Sequence, residues 1–123
     1  MSKLIHYELS NKVLSCAFEV HKILGLGLLE SCYEEALVVE FKRAGIPFQR
    51  QAVYSLCYKG QYIGGYIADL VVDDKIVLEL KSVSALCDAN VSQLLNYLRL
   101  SKCRVGYLMN FNASRLQFKR YVL

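Results

Sequence analysis

Gly64–Ser82, GGYIADLVVDDKIVLELKS, is the stretch whose reading decides the fold. Its two runs, IADLVV (Ile67–Val72) and KIVLEL (Lys75–Leu80), are rich in Val, Ile and Leu and too short for helices. Between them, Asp73-Asp74-Lys75 supplies a tight acidic turn, so the segment reads as two strands of a hairpin. Three charges interrupt these apolar runs: Asp69 in the first strand, and Glu79 and Lys81 in the second. Glu79 and Lys81 are two apart and so point to one face of their strand. Taking a charge into a strand core costs on the order of several kcal/mol unless it is paired or metal-bound. A plain core strand would not keep an acid, an acid and an ammonium in these places.

The chemistry that uses this set is metal-assisted. Carboxylate oxygens suit a hard divalent cation such as Mg²⁺. A metal with an ammonium beside it offsets the charge that builds on a phosphoryl group. The spacing alone also fits a surface hairpin carrying a solvated Glu79–Lys81 pair.

The remainder of the chain supplies elements for a mixed sheet. Its 123 residues fit one domain spanning 1–123. With 54% hydrophobic and 21% charged residues it is too apolar to be disordered. A first helix is predicted over Tyr7–Leu24, with Val13, Leu14, Ala17, Phe18, His21 and Leu24 on the apolar stripe and Gly25 and Gly27 as stops. A second is predicted over Leu29–Ala44, with Tyr33, Ala36, Leu37 and Phe41 inward and Gly45 after it. Pro47, the single proline, marks the change to strand.

QRQAVYSLCYKG (Gln49–Gly60) then alternates as a strand ending in a Lys59-Gly60 turn, and Gly64-Gly65 marks a bend or a close backbone approach. NVSQLLNYLRLS (Asn90–Ser101) has helical period, RVGYLMNF reads as a buried strand, and LQFKRYVL as a last alternating one. The order α-α-β-β-β-α-β-β predicts an α/β fold, a mixed sheet flanked by helices, in which the helix after KIVLELKS crosses over to a parallel strand.

Composition narrows the function classes. No apolar run approaches the length of a membrane span, and MSKLIHYELS has no leader-like apolar core, which predicts a cytoplasmic protein without a membrane partner. Cys16, Cys32, Cys57, Cys87 and Cys103 are odd in number and never spaced C-x-x-C, so neither a zinc site nor a disulfide framework is indicated; they are expected to be small core residues. The net charge of +4 is compatible with a nucleic-acid partner without demanding one. Arg99, Lys102, Arg104, Arg115, Lys119 and Arg120 make the C-terminal third the more basic part, a solvated surface in the main and a candidate phosphate contact.

Two further motifs sharpen this. Gly27-Leu28-Leu29-Glu30-Ser31-Cys32-Tyr33 has the form GxxExxY. Gln93-x-x-x-Tyr97 places two polar groups on one helix face, at i and i+4. With GGYIADLVV, IVLELKSV, QLLNYL and VGYLMNFNASRLQFKRYVL in this order, nearly the whole chain resembles the GxxExxY protein family, grouped with the PD-(D/E)XK nucleases. The Gln and Tyr resemble the Q-x-x-x-Y signature of RecB-type nucleases within that superfamily.

The resemblance implies a restriction-endonuclease-like core and Mg²⁺- or Mn²⁺-dependent hydrolysis of phosphodiester bonds in DNA or RNA. Asp69 and Glu79 would hold the metal, with the Leu80 carbonyl completing its sphere and Lys81 positioning the water. Gln93 and Tyr97 would support substrate or Lys81. Glu30 would match the acid of the first core helix, as a ligand or as support behind one. An acid in a first helical turn is also explained by the helix dipole, and Glu34 could take the same role one turn later. His21 reads as a satisfied core histidine and Glu19 as solvated. Where relatives often carry a basic residue before the Ala-Asp pair, this chain has Ile67.

Two other classes fit the same sequence. One is a catalytically inactive module of the same fold that binds nucleic acid or a protein. The other is an interaction protein that self-associates, as a homodimer, through exposed apolar surface.

Overall fold

The computed structural model describes residues 4–123; the first three residues of the MSKLIHYELS segment lie outside it. Helix α1 covers Tyr7–Leu24 and α2 covers Glu30–Ala44. Strand β1 covers Phe48–Tyr58, β2 Gln61–Val72 and β3 Ile76–Lys81. Helix α3 covers Asp88–Ser101, followed by β4, Val105–Asn110, and β5, Gln117–Val122. The five strands form one sheet in the order β1-β2-β3-β4-β5. All neighbours are antiparallel except β3 and β4, which α3 joins as a parallel pair. The element order and the crossover are those the sequence predicts.

Local chemistry sets the turns. Lys59 and Gly60 both take positive φ (47° and 79°), as do Asp73 and Asp74 (50° and 54°). Two consecutive positive φ values suit a type I′ turn, whose twist matches that of the strands. Lys59-Gly60 is a two-residue hairpin loop, whereas Asp73-Asp74 and Lys75 make a three-residue connection from Val72 to Ile76. Helix α2 ends where Gly45 enters the left-handed region at φ 70° and its N–H reaches back to Phe41 and Lys42.

The sheet is covered on both sides. On one face α1 and α2 bury Val13, Ala17, Tyr33, Leu37 and Phe41 against Leu70, Val72, Leu78, Leu80, Tyr107 and Met109. On the other, α3 buries Leu94, Tyr97 and Leu98 against Val71, Val77 and Leu108. Gly106 of β4 allows α3 to sit close: a Cβ there would stand 2.8 Å from the Leu94 side chain. Gly65 serves a close approach of the kind expected, since the Tyr62 hydroxyl lies 3.3 Å from where its Cβ would be.

Several expectations need correction. On α1, Phe18 is 47% exposed and Leu24 is exposed as well, while Cys16 and Val20 are buried instead. The buried stripe therefore runs through Val13, Cys16, Ala17 and Val20, and Phe18 meets Phe118 edge-on at its margin. Of the cysteines only Cys16 and Cys103 are buried; Cys32, Cys57 and Cys87 are exposed. Arg120 is no free phosphate contact: it donates to Ser10 Oγ, Tyr107 Oη and the Ile5 carbonyl, tying β5 to the start of α1. His21 Nε2 lies 2.8 Å from the Ala113 carbonyl, the satisfied histidine that was expected.

A candidate metal-dependent active site at a fork in the sheet

Strands β2 and β3 pair only from Leu70↔Leu78 to Val72↔Ile76. One rung further, where Asp69 would face Glu79, the ladder stops and the strands diverge. Backbone groups released in a buried place must find other partners, and the two acids provide them. Asp69 Oδ2 accepts the Leu80 N–H at 2.8 Å, and Glu79 Oε1 accepts the Asp69 N–H at 3.3 Å. A strand residue sends its N–H and C=O out by the same edge, so the Leu80 carbonyl also faces the fork. The Lys81 carbonyl leaves by the opposite edge, where it accepts the Phe111 N–H at 2.9 Å.

Helix α3 closes one side of the fork. Lys81 Nζ donates to Gln93 Oε1 at 3.2 Å, and Gln93 Nε2 donates to Tyr97 Oη at 2.9 Å. Because Tyr97 takes the amide nitrogen, the amide oxygen is turned toward Lys81. Lys81 Nζ is also 3.9 Å from Glu79 Oε2. The structure thus brings Asp69, Glu79, Lys81, Gln93 and Tyr97 into one connected group.

The α1–α2 loop borders the other side, and the GxxExxY motif explains its shape. Gly25 and Gly27 take φ of 71° and 92°, which a side chain would resist. The Tyr33 hydroxyl donates to the Gly25 carbonyl at 2.6 Å and accepts the Leu28 N–H at 3.2 Å, while its ring stacks on Phe111 at 4.5 Å. Glu30 is thereby held as the first residue of α2. It is exposed, and its charge is felt at both Asp69 and Glu79. Among the described residues no three His, Cys, Asp or Glu side chains come close enough to hold a metal ion by themselves, so Glu30 stands back from the central pair. A shallow depression lined by Leu28, Leu29, Glu30, Ser31 and Ser82 opens here, and Ser82 Oγ donates to the Leu28 carbonyl across it. The larger depression of about 700 Å³ lies by Leu4, Tyr7, Asp73 and Lys75 and holds none of these acids.

Electrostatically the fork is short of positive charge. Burial, then the Asp69 charge, push the Glu79 carboxyl up to about 8. Burial also raises Asp69, the Leu80 N–H partly opposing it, with Glu34 and Glu30 adding to the rise and Lys81 countering. Tyr97 is raised by burial and by the two carboxylates. Two acids forced together out of water hold a proton between them when no cation relieves the repulsion.

The sequence alone did not point to Arg50 and Gln51 of β1. Arg50 donates to Glu34 Oε2 from Nε and Nη2, at 3.1 and 2.9 Å, and also reaches Glu35. Gln51 Nε2 donates to Glu34 Oε1 at 2.7 Å. Glu34 is therefore fully engaged with β1.

Comparison with known proteins bears on this geometry. A family model described as the PD-(D/E)XK nuclease superfamily matches residues 7–121. The chain belongs to that superfamily. Among solved structures, the chain is similar in fold to an alkaline exonuclease, LHK-Exo, from Laribacter hongkongensis. The match has a TM-score of 0.51 at 8% identity and covers 92% of this chain and 81% of that one. The crystal structure of SSO0001 is similar with a TM-score of 0.60 at 18% identity, over 94% of this chain. The chain spans 58% of the length of SSO0001. At these identities the likeness is one of fold. No curated protein matches the sequence. For this PD-(D/E)XK chain, no helix among the described residues is long and apolar enough to cross a membrane.

Proposed function

We propose that this PD-(D/E)XK chain is a divalent-metal-dependent nuclease that hydrolyses phosphodiester bonds of DNA or RNA. The observation that carries the reading is the meeting of Asp69 and Glu79 at the open end of the β2–β3 ladder, with the Glu79 carboxyl raised to about 8. Two carboxylates and a backbone carbonyl are hard oxygen donors, and their uncompensated charge fits Mg²⁺ or Mn²⁺. Asp69, Glu79 and the Leu80 carbonyl would hold the ion, with Glu30 acting from behind them. When bound, such an ion polarises a phosphoryl oxygen and acidifies water.

The side chains around the acids would do the rest. Lys81 has three N–H donors and gives one to Gln93. The others remain to hold an attacking water in line and to meet the charge that grows on the phosphoryl oxygens. Gln93, fixed by Tyr97, would steady the ammonium beside Glu79. The exposed depression beside Glu30 and Ser82 leaves the strand a way in.

Mn²⁺ calorimetry tests this without a guess about substrate. Wild type is expected to bind near one equivalent and Asp69→Asn to lose the heat while remaining folded. Absence of binding up to millimolar metal in the wild-type protein would reject a free-standing nuclease.

One observation favours a second role, association through protein surface. Val53, Ile63 and Ile67 on the β1–β2 hairpin are 68%, 59% and 50% exposed, and apolar surface collected on one element is a common mark of an interface. Gel filtration separates the two: a nuclease acting as a monomer elutes at 14.0 kDa, and a homodimer at twice that.

A further inference from the structure

The β1–β2 ladder keeps one register from Phe48↔Val72 to Leu56↔Gly64, yet the rung that would join Gln51 to Asp69 is missing from it. Gln51 has φ 49°, a left-handed conformation that a side chain disfavours and that nothing in a regular strand requires. At the same rung both strands exchange faces. Phe48, Leu70 and Val72 pack with α1 and α2, whereas Ala52, Tyr54, Tyr66 and Ala68 pack with α3. Strict alternation would put Ala68 and Leu70 on one face. The inversion turns β2 away from β3 at Asp69, and that divergence makes the fork.

A strained residue persists only where its surroundings hold it. What holds Gln51 is Glu34: one carboxylate oxygen takes the Gln51 amide at 2.7 Å, the other takes two donors of Arg50, and the acid is nearly buried on α2. We infer that Arg50, Gln51 and Glu34 form a clamp between β1 and α2 that maintains the kink and so positions the Asp69–Glu79 fork. Arg50 and Gln51 are positioning residues. Arg50 also places a positive charge on β1 beside the acids of α2. The inference rests on reading Asp69 and Glu79 as the site acids, but its test needs neither metal nor substrate.

The test is amide hydrogen exchange on the metal-free protein. The Asp69 and Leu80 N–H groups donate to the fork carboxylates, so they report the fork's geometry. In Arg50→Ala these two amides are expected to exchange at least tenfold faster, with those of Tyr107 and Leu108 in β4 unchanged. Gln51→Ala is the companion variant: it keeps the strain at φ 49° and deletes the tie to Glu34 at an exposed position, so the fork amides again quicken. Unchanged fork amides in either folded variant would overturn the clamp, and so would an equal rise across β4, which marks a general loss of stability. A chain that binds no Mn²⁺ but shows the selective rise would keep the clamp and lose the nuclease reading.

Discussion

The Leu80 N–H donates to Asp69 Oδ2 at 2.8 Å across the first rung at which β2 and β3 no longer pair. A side chain here does the work of a missing backbone carbonyl, so the acid is structural as well as a candidate metal ligand. The two roles separate by substitution. Asp69→Asn keeps an oxygen for Leu80 and removes the charge; Asp69→Ala leaves the N–H without a partner. An unsatisfied buried donor costs about 1–3 kcal/mol. Urea unfolding is expected to show Asp69→Ala less stable than wild type by about that amount and Asp69→Asn unchanged or more stable. Equal losses in the two would show that the bond carries no weight.

The raised carboxyl of Glu79 makes stability depend on pH in a defined direction. In the unfolded chain it titrates near the ordinary 4.5, and in the fold at about 8. Between these values the folded state keeps a proton that the unfolded state has lost. The stabilisation is therefore full below 4.5, falls as pH rises and is gone above about 8. Asp69, also raised, contributes with the same sign. Metal-free protein is expected to melt at a lower temperature at pH 8 than at pH 5, and Glu79→Gln should flatten the slope. A melting curve that rises over this interval in the wild type, or a slope retained by Glu79→Gln, would show the charge to be compensated already.

Much of this architecture was legible in the sequence, and the parts that were not share a cause. Short apolar runs, glycine stops and the crossover helix announce the element order, because periodicity and turn chemistry are local. Asp69, Glu79 and Lys81 stood out because charge inside a strand is rare. The fork itself was hidden, since alternation tells which face a residue takes but not where pairing with the next strand ends. Gln51 was hidden for a related reason. Counting back from Tyr58↔Gln61 sets Arg50 opposite Asp69, but the irregularity between Leu56 and Cys57 shifts the register by one and brings Gln51 there. The exposure of Cys32, Cys57 and Cys87 shows the limit of residue type as a guide to burial, because three of the five cysteines fall at a helix start, on an outward strand position and at a cap.

The GxxExxY tyrosine is expected to act through the loop it ties rather than through chemistry. Tyr33→Phe keeps the ring stacked on Phe111 and loses the bonds to Gly25 and Leu28. Loss of two partly buried hydrogen bonds should lower stability by about 1–2 kcal/mol. If Glu30 supports the metal from behind, Mn²⁺ binding should weaken with it, by up to about tenfold, as when a support behind a ligand is lost. Calorimetry alongside thermal melting checks both. An unchanged melting temperature would mean that Gly25 and Gly27 hold the loop unaided.

Lys81 offers the sharpest separation of binding from catalysis. It sits 3.9 Å from Glu79 Oε2 and 3.2 Å from Gln93 Oε1, largely buried at the mouth of the fork. As a cation beside two acids it competes with a divalent ion for their charge, so Lys81→Met should leave Mn²⁺ affinity intact or raise it. As the donor that holds water and phosphoryl oxygen, its removal should cost cleavage of the order of 10²–10⁴-fold, the usual range for a positioned proton-transfer or orienting group. Tyr97→Phe frees the Gln93 amide to turn, and the ammonium then loses its oriented partner without losing its charge. Its effect is therefore expected to fall between wild type and Lys81→Met, in kcat rather than in metal binding. Nuclease assays at saturating Mn²⁺, paired with calorimetry on the same preparations, read both quantities. Cleavage by Lys81→Met at the wild-type rate would remove Lys81 from the chemistry, and parallel loss of metal binding and cleavage would make it a structural partner of Glu79.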